Sequence, residues 1–113
     1  ELFLPETILY GGHGAVAGGA NFLPELFVDL YNASVANNLE VIKILRNKVA
    51  FVNRTIYCVG KNASRITKGI KCALSVMDIC EDHMALPLRK FENRERQKVK
   101  EILDQFEESK VIK

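Results

Sequence analysis

Gly11-Gly12-His13-Gly14-Ala15-Val16-Ala17-Gly18-Gly19-Ala20-Asn21, closed by Phe22-Leu23-Pro24, is the stretch whose reading decides the fold. Ala15 to Ala17 is a run of small apolar residues with glycines on both sides, which predicts a short buried strand. Glycine permits positive φ and close backbone approach, so the strand starts from a tight turn and ends where another group must come near. Pro24 suits the first turn of a helix, where its missing N–H costs nothing. Turn, strand, glycine-rich exit and helix make one unit of an α/β protein, and the carboxyl end of such a strand is where sites are built.

Working outward, everything else reads as helix or loop. Residues 2–10 predict a short helix with Leu2, Leu4, Ile8 and Leu9 apolar and Gly11 to stop it. Residues 23–36 predict a second, with Leu23, Leu26, Phe27, Leu30 and Tyr31 on one face. After Asn37-Asn38, residues 39–58 predict a long third helix with the stripe Ile42, Leu45, Val49, Val52 and Ile56. Lys43, Arg46, Asn47 and Arg54 fall largely off that stripe and are expected in solvent. Gly60-Lys61-Asn62 ends it, and Asn62 or Ser64 is placed to cap a fourth helix. The expected buried face there is Ile66, Ile70, Ala73, Leu74 and Met77. Pro87 keeps a loop open around residues 81–91. Asn93 then caps a last helix striped by Val99, Ile102, Leu103 and Phe106, and the tail from Glu108 is expected to fray. A lone strand among helices has nowhere to place its ladder hydrogen bonds. Its partners must come from outside this sequence.

Composition sets further bounds. The chain has 113 residues, 48% hydrophobic and 27% charged, which is globular rather than disordered composition. A net charge of +2 is too small to point to a nucleic-acid or membrane partner. No apolar run approaches the roughly 18 residues of a bilayer span, and no signal-peptide pattern is visible. Cys58, Cys72 and Cys80 are an odd set without C-x-x-C spacing, which reads as reduced thiols in a cytoplasmic protein.

The individual motifs carry little chemistry. The glycine run fails G-x-G-x-x-G, because Ala17 stands where the third glycine belongs, and it lacks the lysine of a phosphate loop. His13 precedes the strand, away from the carboxyl end, and reads as a turn residue. Two histidines and three scattered cysteines make no zinc pattern. Lys68 and Lys71 lie off the apolar stripe of their helix, so neither is expected to be the desolvated lysine of a Schiff-base mechanism.

The run G-G-H-G-A-V-A-G-G-A-N-F-L-P-E-L resembles the eighth strand and following helix of the pyruvate-dependent class I aldolases that include dihydrodipicolinate synthase and N-acetylneuraminate lyase. Glu1-Leu2-Phe3-Leu4-Pro5 resembles that family's segment after strand seven. Gly69-Ile70-Lys71-Cys72-Ala73-Leu74-Ser75-Val76-Met77-Asp78 and Pro87-Leu88 resemble its C-terminal helical extension. The resemblance implies a C-terminal fragment of a (β/α)8 TIM barrel, α/β in class but mostly α in this chain. Residues 1–36 would be the end of the barrel and residues 37–113 the helical extension.

The resemblance further implies substrate-binding roles for Val16, Ala17 and Gly18. The backbone of Val16 would lie beside an imine-forming lysine, with Ala17 and Gly18 at the rim of a pyruvate pocket. Gly18 stands where the sialate-cleaving branch has a serine, which argues against a sugar acid. Glu1 falls in the segment that contacts the distal part of larger substrates, although a solvent-exposed first residue is an equal reading. No catalytic residue is expected in this chain: the imine lysine belongs to strand six, and the G-x-T-G-E segment and strand-five tyrosine are upstream as well. The implied parent is a carbon–carbon lyase or synthase using pyruvate or another 2-keto acid, with neither metal nor organic cofactor. It is a homo-oligomer, commonly a homotetramer. The rival reading, from the apolar stripes alone, is a small non-enzymatic helical domain that binds a protein partner through an apolar groove.

Overall fold

A computed structural model of the protein describes residues 1–111, with side-chain surroundings through Ser109. The elements are α1 (Leu4–Leu9), a 3-10 turn (Gly18–Asn21), α2 (Pro24–Val35), α3 (Leu39–Arg54), a second 3-10 turn (Ile56–Cys58), α4 (Arg65–Val76) and α5 (Asn93–Val111). The chain divides into two compact units, Glu1–Asn53 and a second from Arg54 onward. No helix among the described residues is long and apolar enough to cross a membrane.

The strand expected at Ala15 to Ala17 is not formed; no strand occurs among the described residues. Ala17 keeps an extended conformation, with φ −106° and ψ 119°. Val16 is fully exposed rather than buried. The physical reason is the one the sequence contains: with no second extended segment beside it, this backbone has nothing to pair with. The turn before it is as expected. Gly11 has φ +91°, and a Cβ on Gly12 would lie 2.8 Å from the Thr7 carbonyl oxygen. The Gly12 N–H donates to that same oxygen at 2.8 Å, so the turn requires close approach at this position.

In the first unit, Pro5 and Pro24 each occupy the opening turn of their helix. Leu26, Phe27 and Leu30 of α2 are buried with Phe22, Leu23 and Leu4. Burial contributes about 1.5–3 kcal/mol for each fully buried large apolar side chain of this kind. Tyr31 is exposed, so the buried face is narrower than the periodicity suggested. Asn37 ends α2 at φ 52°, and the Asn38 N–H closes the helix on the Ala33 carbonyl at 2.9 Å. Helix α3 ends at Arg54 rather than 58. Its Ile42, Val49 and Val52 are buried and Leu45 is half-buried.

In the second unit, α4 buries Ala73 and half-buries Ile70 and Leu74 as expected, but its inward face is rotated from the expected stripe. Gly69, Cys72 and Ala73 are buried, whereas Ile66 and Met77 are exposed. Gly69 explains the rotation. A Cβ there would stand 2.7 Å from the Ile56 carbonyl oxygen, so α4 lies directly against the 3-10 turn at Ile56–Cys58. The start of α4 also differs. Ser64 makes no side-chain cap, and the Arg65 N–H donates to the Asn62 carbonyl at 2.9 Å. Asn93 is the first residue of α5 rather than its cap, and the helix hydrogen-bonds back to the Glu92 carbonyl through Arg96 N–H. Val99, Leu103 and Phe106 form its buried stripe. The helix continues through Val111 where fraying was expected from Glu108, and Ile112 and Lys113 lie outside the described residues.

Replacing Gly69 by Ala sets two effects against each other. Helix propensity favours alanine by about 1 kcal/mol, while forcing a methyl against a carbonyl that cannot rotate away costs about 1–3 kcal/mol. The clash is expected to win. Gly69→Ala should lower the urea midpoint, and a raised midpoint would show that α4 does not rest on Ile56 this closely.

Candidate functional site

The candidate site is the glycine-rich exit at residues 16–19. Val16 stands in solvent, Ala17 and Gly18 are half-buried, and Gly19 is buried. Among the described residues, the backbone of residues 13–16 makes no hydrogen bond. Beyond it the chain winds at once into the 3-10 turn, where Ala20 N–H donates to the Ala17 carbonyl at 3.2 Å. Asn21 reaches back to the Gly18 carbonyl at 2.8 Å. Val16, Ala17 and Gly18 are thus consecutive on one open edge that is held from its C-terminal side.

The carboxylate of Glu1 is part of this edge. It accepts the Gly19 N–H at 2.6 Å through Oε1, and Asn53 Nδ2 lies 3.4 Å from its Oε2. Asn53 is itself anchored to the Val49 carbonyl at 3.0 Å. An anionic group at the head of a turn satisfies an otherwise open N–H and suits the local backbone dipole. Family alignment drew attention to Glu1, but its hydrogen bond to Gly19 has no sequence signal, because the partners are 18 residues apart.

Arg46 fixes the start of the chain beside this edge. The periodicity put it in solvent, yet it is half-buried. Its Nε and Nη2 each donate to the Leu2 carbonyl at 3.1 Å, and Nη2 also pairs with Glu6. That hydrogen bond holds the Glu6 carboxyl below its ordinary value of 4.5, against the opposing effect of burial. Glu6 Oε2 is buried with no hydrogen-bond partner among the described residues. One guanidinium therefore ties α3 both to the residue stretch before α1 and to the middle of that helix.

The remaining reactive side chains do not gather. His13 is exposed, and His83 is exposed and pairs with Glu81. Lys71 is half-buried and donates to the His83 carbonyl at 2.6 Å, a structural contact rather than a nucleophile's setting. Cys72 is fully buried, and burial pushes its thiol up to about 11, which keeps it protonated and unreactive near neutrality. No group of His, Cys, Asp and Glu suited to a metal ion occurs among the described residues.

Comparison with known proteins identifies the class to which this edge belongs. The Dihydrodipicolinate synthetase family profile matches residues 1–106, so the chain belongs to that family. It is 31% identical over 81 residues to the 4-hydroxy-tetrahydrodipicolinate synthase of Neisseria meningitidis serogroup C, covering 72% of this chain and 26% of that protein. The Archaeoglobus fulgidus 4-hydroxy-tetrahydrodipicolinate synthase is 29% identical over 106 residues, covering 94% of this chain and 35% of its own. The structure of dihydrodipicolinate synthase from Bacteroides thetaiotaomicron superposes with a TM-score of 0.89 at 46% identity, covering 92% of this chain and 35% of that one. The chain thus spans between a quarter and about a third of the length of these relatives.

The Glu6–Arg46 pair has a pH signature. A carboxyl whose folded value is lowered contributes stability above its unfolded value of about 4.5, and that contribution is lost as pH falls through the lower folded value. Glu6→Gln should therefore flatten the loss of thermal stability on acidification below pH 4.5. An unchanged acid-side slope would mean that Arg46 holds Leu2 alone.

Proposed function

We propose that this chain is the C-terminal part of a Schiff-base-forming aldolase or lyase that acts on pyruvate or another 2-keto acid. The observation that carries this reading is family membership along residues 1–106 together with coverage of only about a quarter of the first relatives. The open edge at residues 13–16 supports it, because a backbone without hydrogen-bond partners, running into the extended Ala17, fits the last strand of a barrel whose other strands lie elsewhere in a longer polypeptide. On this reading residues 1–36 close the barrel and residues 37–113 form the helical extension.

The chemistry is that of a lysine upstream of Glu1. Its neutral amine adds to the C2 carbonyl of pyruvate, and water leaves as the imine forms. Loss of a proton from C3 places the electron pair in an enamine. That carbon then bonds to an aldehyde in the synthetic direction, or is the fragment left when a C–C bond breaks. No metal or organic cofactor is required. The backbone of Val16 lies beside that lysine, and Ala17 and Gly18 form the rim, where bulk would obstruct the keto acid. This chain's relatives are synthases, which favours the synthase over the lyase direction. The whole protein is read as a cytoplasmic homo-oligomer, a tetramer in the first instance.

The test is reductive trapping. A polypeptide extended upstream of Glu1, treated with pyruvate and borohydride, is expected to gain one reduced pyruvate on a lysine N-terminal to Glu1, located by peptide mass mapping. The 113-residue chain under the same conditions is expected to gain none. No adduct on the extended polypeptide, or an adduct on Lys68 or Lys71, would overturn the mechanism.

A further inference from the structure

The second unit contains a cleft of about 430 Å³ that the aldolase reading does not use. It lies within the size range of small-ligand sites. Six cationic side chains line it: Lys61, Lys68, Arg89, Lys90, Arg94 and Lys98. Only two carboxylates, Glu92 and Glu95, oppose them. The whole chain carries a net charge of only +2, so positive charge is concentrated here while the remainder is net acidic.

Chain distribution and pairing both set this cleft apart from a solvated helix face. The cations come from three separate segments: the turn before α4, α4 itself, and the loop leading into α5 with its first turns. They are brought together by packing, since a Cβ on Gly60 would lie 3.0 Å from the Phe91 ring and 2.8 Å from Arg65 Cβ. Arg65 in turn donates to the Tyr57 carbonyl at 3.0 Å. Lys90 is drawn toward the buried Asp82 at 3.4 Å. Among the described residues, the side chains of Lys61, Lys68, Arg89, Arg94 and Lys98 have neither an ion pair nor a hydrogen bond. Gathering like charges without partners raises the electrostatic energy of the unit, and a bound polyanion would relieve it.

We propose that this cleft binds the phosphate groups of a small polyphosphate-bearing ligand. A single carboxylate offers one charge in one plane, which cannot serve cations arriving from three directions. A chain of phosphates offers several charges and oxygens in all directions, suited to lysine as a point charge and arginine as a fork. The size of this half-open cleft and the confinement of the charge to one concavity favour a small ligand over a nucleic-acid track, which needs an extended basic stripe. The proposal does not depend on the aldolase reading, because none of its residues belongs to the glycine-rich edge.

The test titrates the full chain with inorganic tripolyphosphate, by calorimetry and by amide chemical shifts, at about 0.1 M ionic strength, where exposed charges act over roughly 10 Å and remote cations are screened. Tripolyphosphate is expected to bind and to move the amides of residues 59–61 and 89–98. The double variant Lys68→Ala, Lys98→Ala, with its far-UV spectrum unchanged, is expected to bind about tenfold more weakly or worse. The control pair Lys43→Ala, Lys48→Ala in the first unit should change affinity by less than about twofold. An ATP arm separates the sources. Tighter binding of ATP than of tripolyphosphate assigns a nucleotide, and binding no tighter assigns the phosphate chain itself. No binding of tripolyphosphate, equal loss in the control pair, or citrate binding as tightly as tripolyphosphate would overturn the proposal.

Discussion

An extended backbone must hand its N–H and C=O groups to a neighbour, whereas a helix satisfies its own. Most features of this chain follow from that asymmetry. Its helical segments form inside the sequence because each closes its hydrogen bonds locally. The one segment with strand composition, at residues 15–17, finds no ladder partner, and only the Ala17 carbonyl is bonded, by the turn that follows. The glycines around it are used at both ends, for the turn at Gly11-Gly12 and for the 3-10 turn that begins at Gly18. The glycine-rich edge is therefore shaped by local bonding on either side and left unfinished in the middle.

What steadies that edge is polar and long-range. Glu1 reaches Gly19, Asn53 reaches Glu1, and Arg46 holds the carbonyl of Leu2. These contacts join residues 18 to 52 positions apart, each with a group that a helical wheel places without regard to partner. The first unit thus has buried apolar side chains from both α2 and α3, and a hydrogen-bonded seam supplied by α3. Losing one apolar contact would loosen the interior, but losing the seam would release the start of the chain.

Much of the helical layout was legible in the sequence, because Leu26-Phe27-Leu30 and Val99-Leu103-Phe106 recur at the helical period and the prolines and Asn37 mark their bounds. The family was legible too, from the order of short segments rather than from any one motif. Four things were not. The strand could not be realised because strand formation depends on partners, a non-local property. The inward face of α4 was misread because hydrophobic size pointed to Ile66 and Met77, while the packing selects Gly69 for its lack of a side chain. Arg46 was read as solvated because periodicity says only that it lies off the stripe, not that a carbonyl and a carboxylate wait there. The basic cleft was invisible for the same reason: Lys61, Lys68 and the cations from Arg89 to Lys98 meet only in the folded unit.

The open edge at residues 13–16 also bears on how such chains behave in company. An unpaired extended backbone invites a strand from another molecule, and long flat apolar edges of this kind seed fibres. Here the bare segment is only a few residues long, flanked by glycines, with alanine rather than branched side chains beside Val16. A cross-chain ladder would gain few bonds and almost no interdigitated surface while ordering the most mobile residue type. The same smallness that lets a neighbour approach closely makes this edge a poor template for self-propagating assembly.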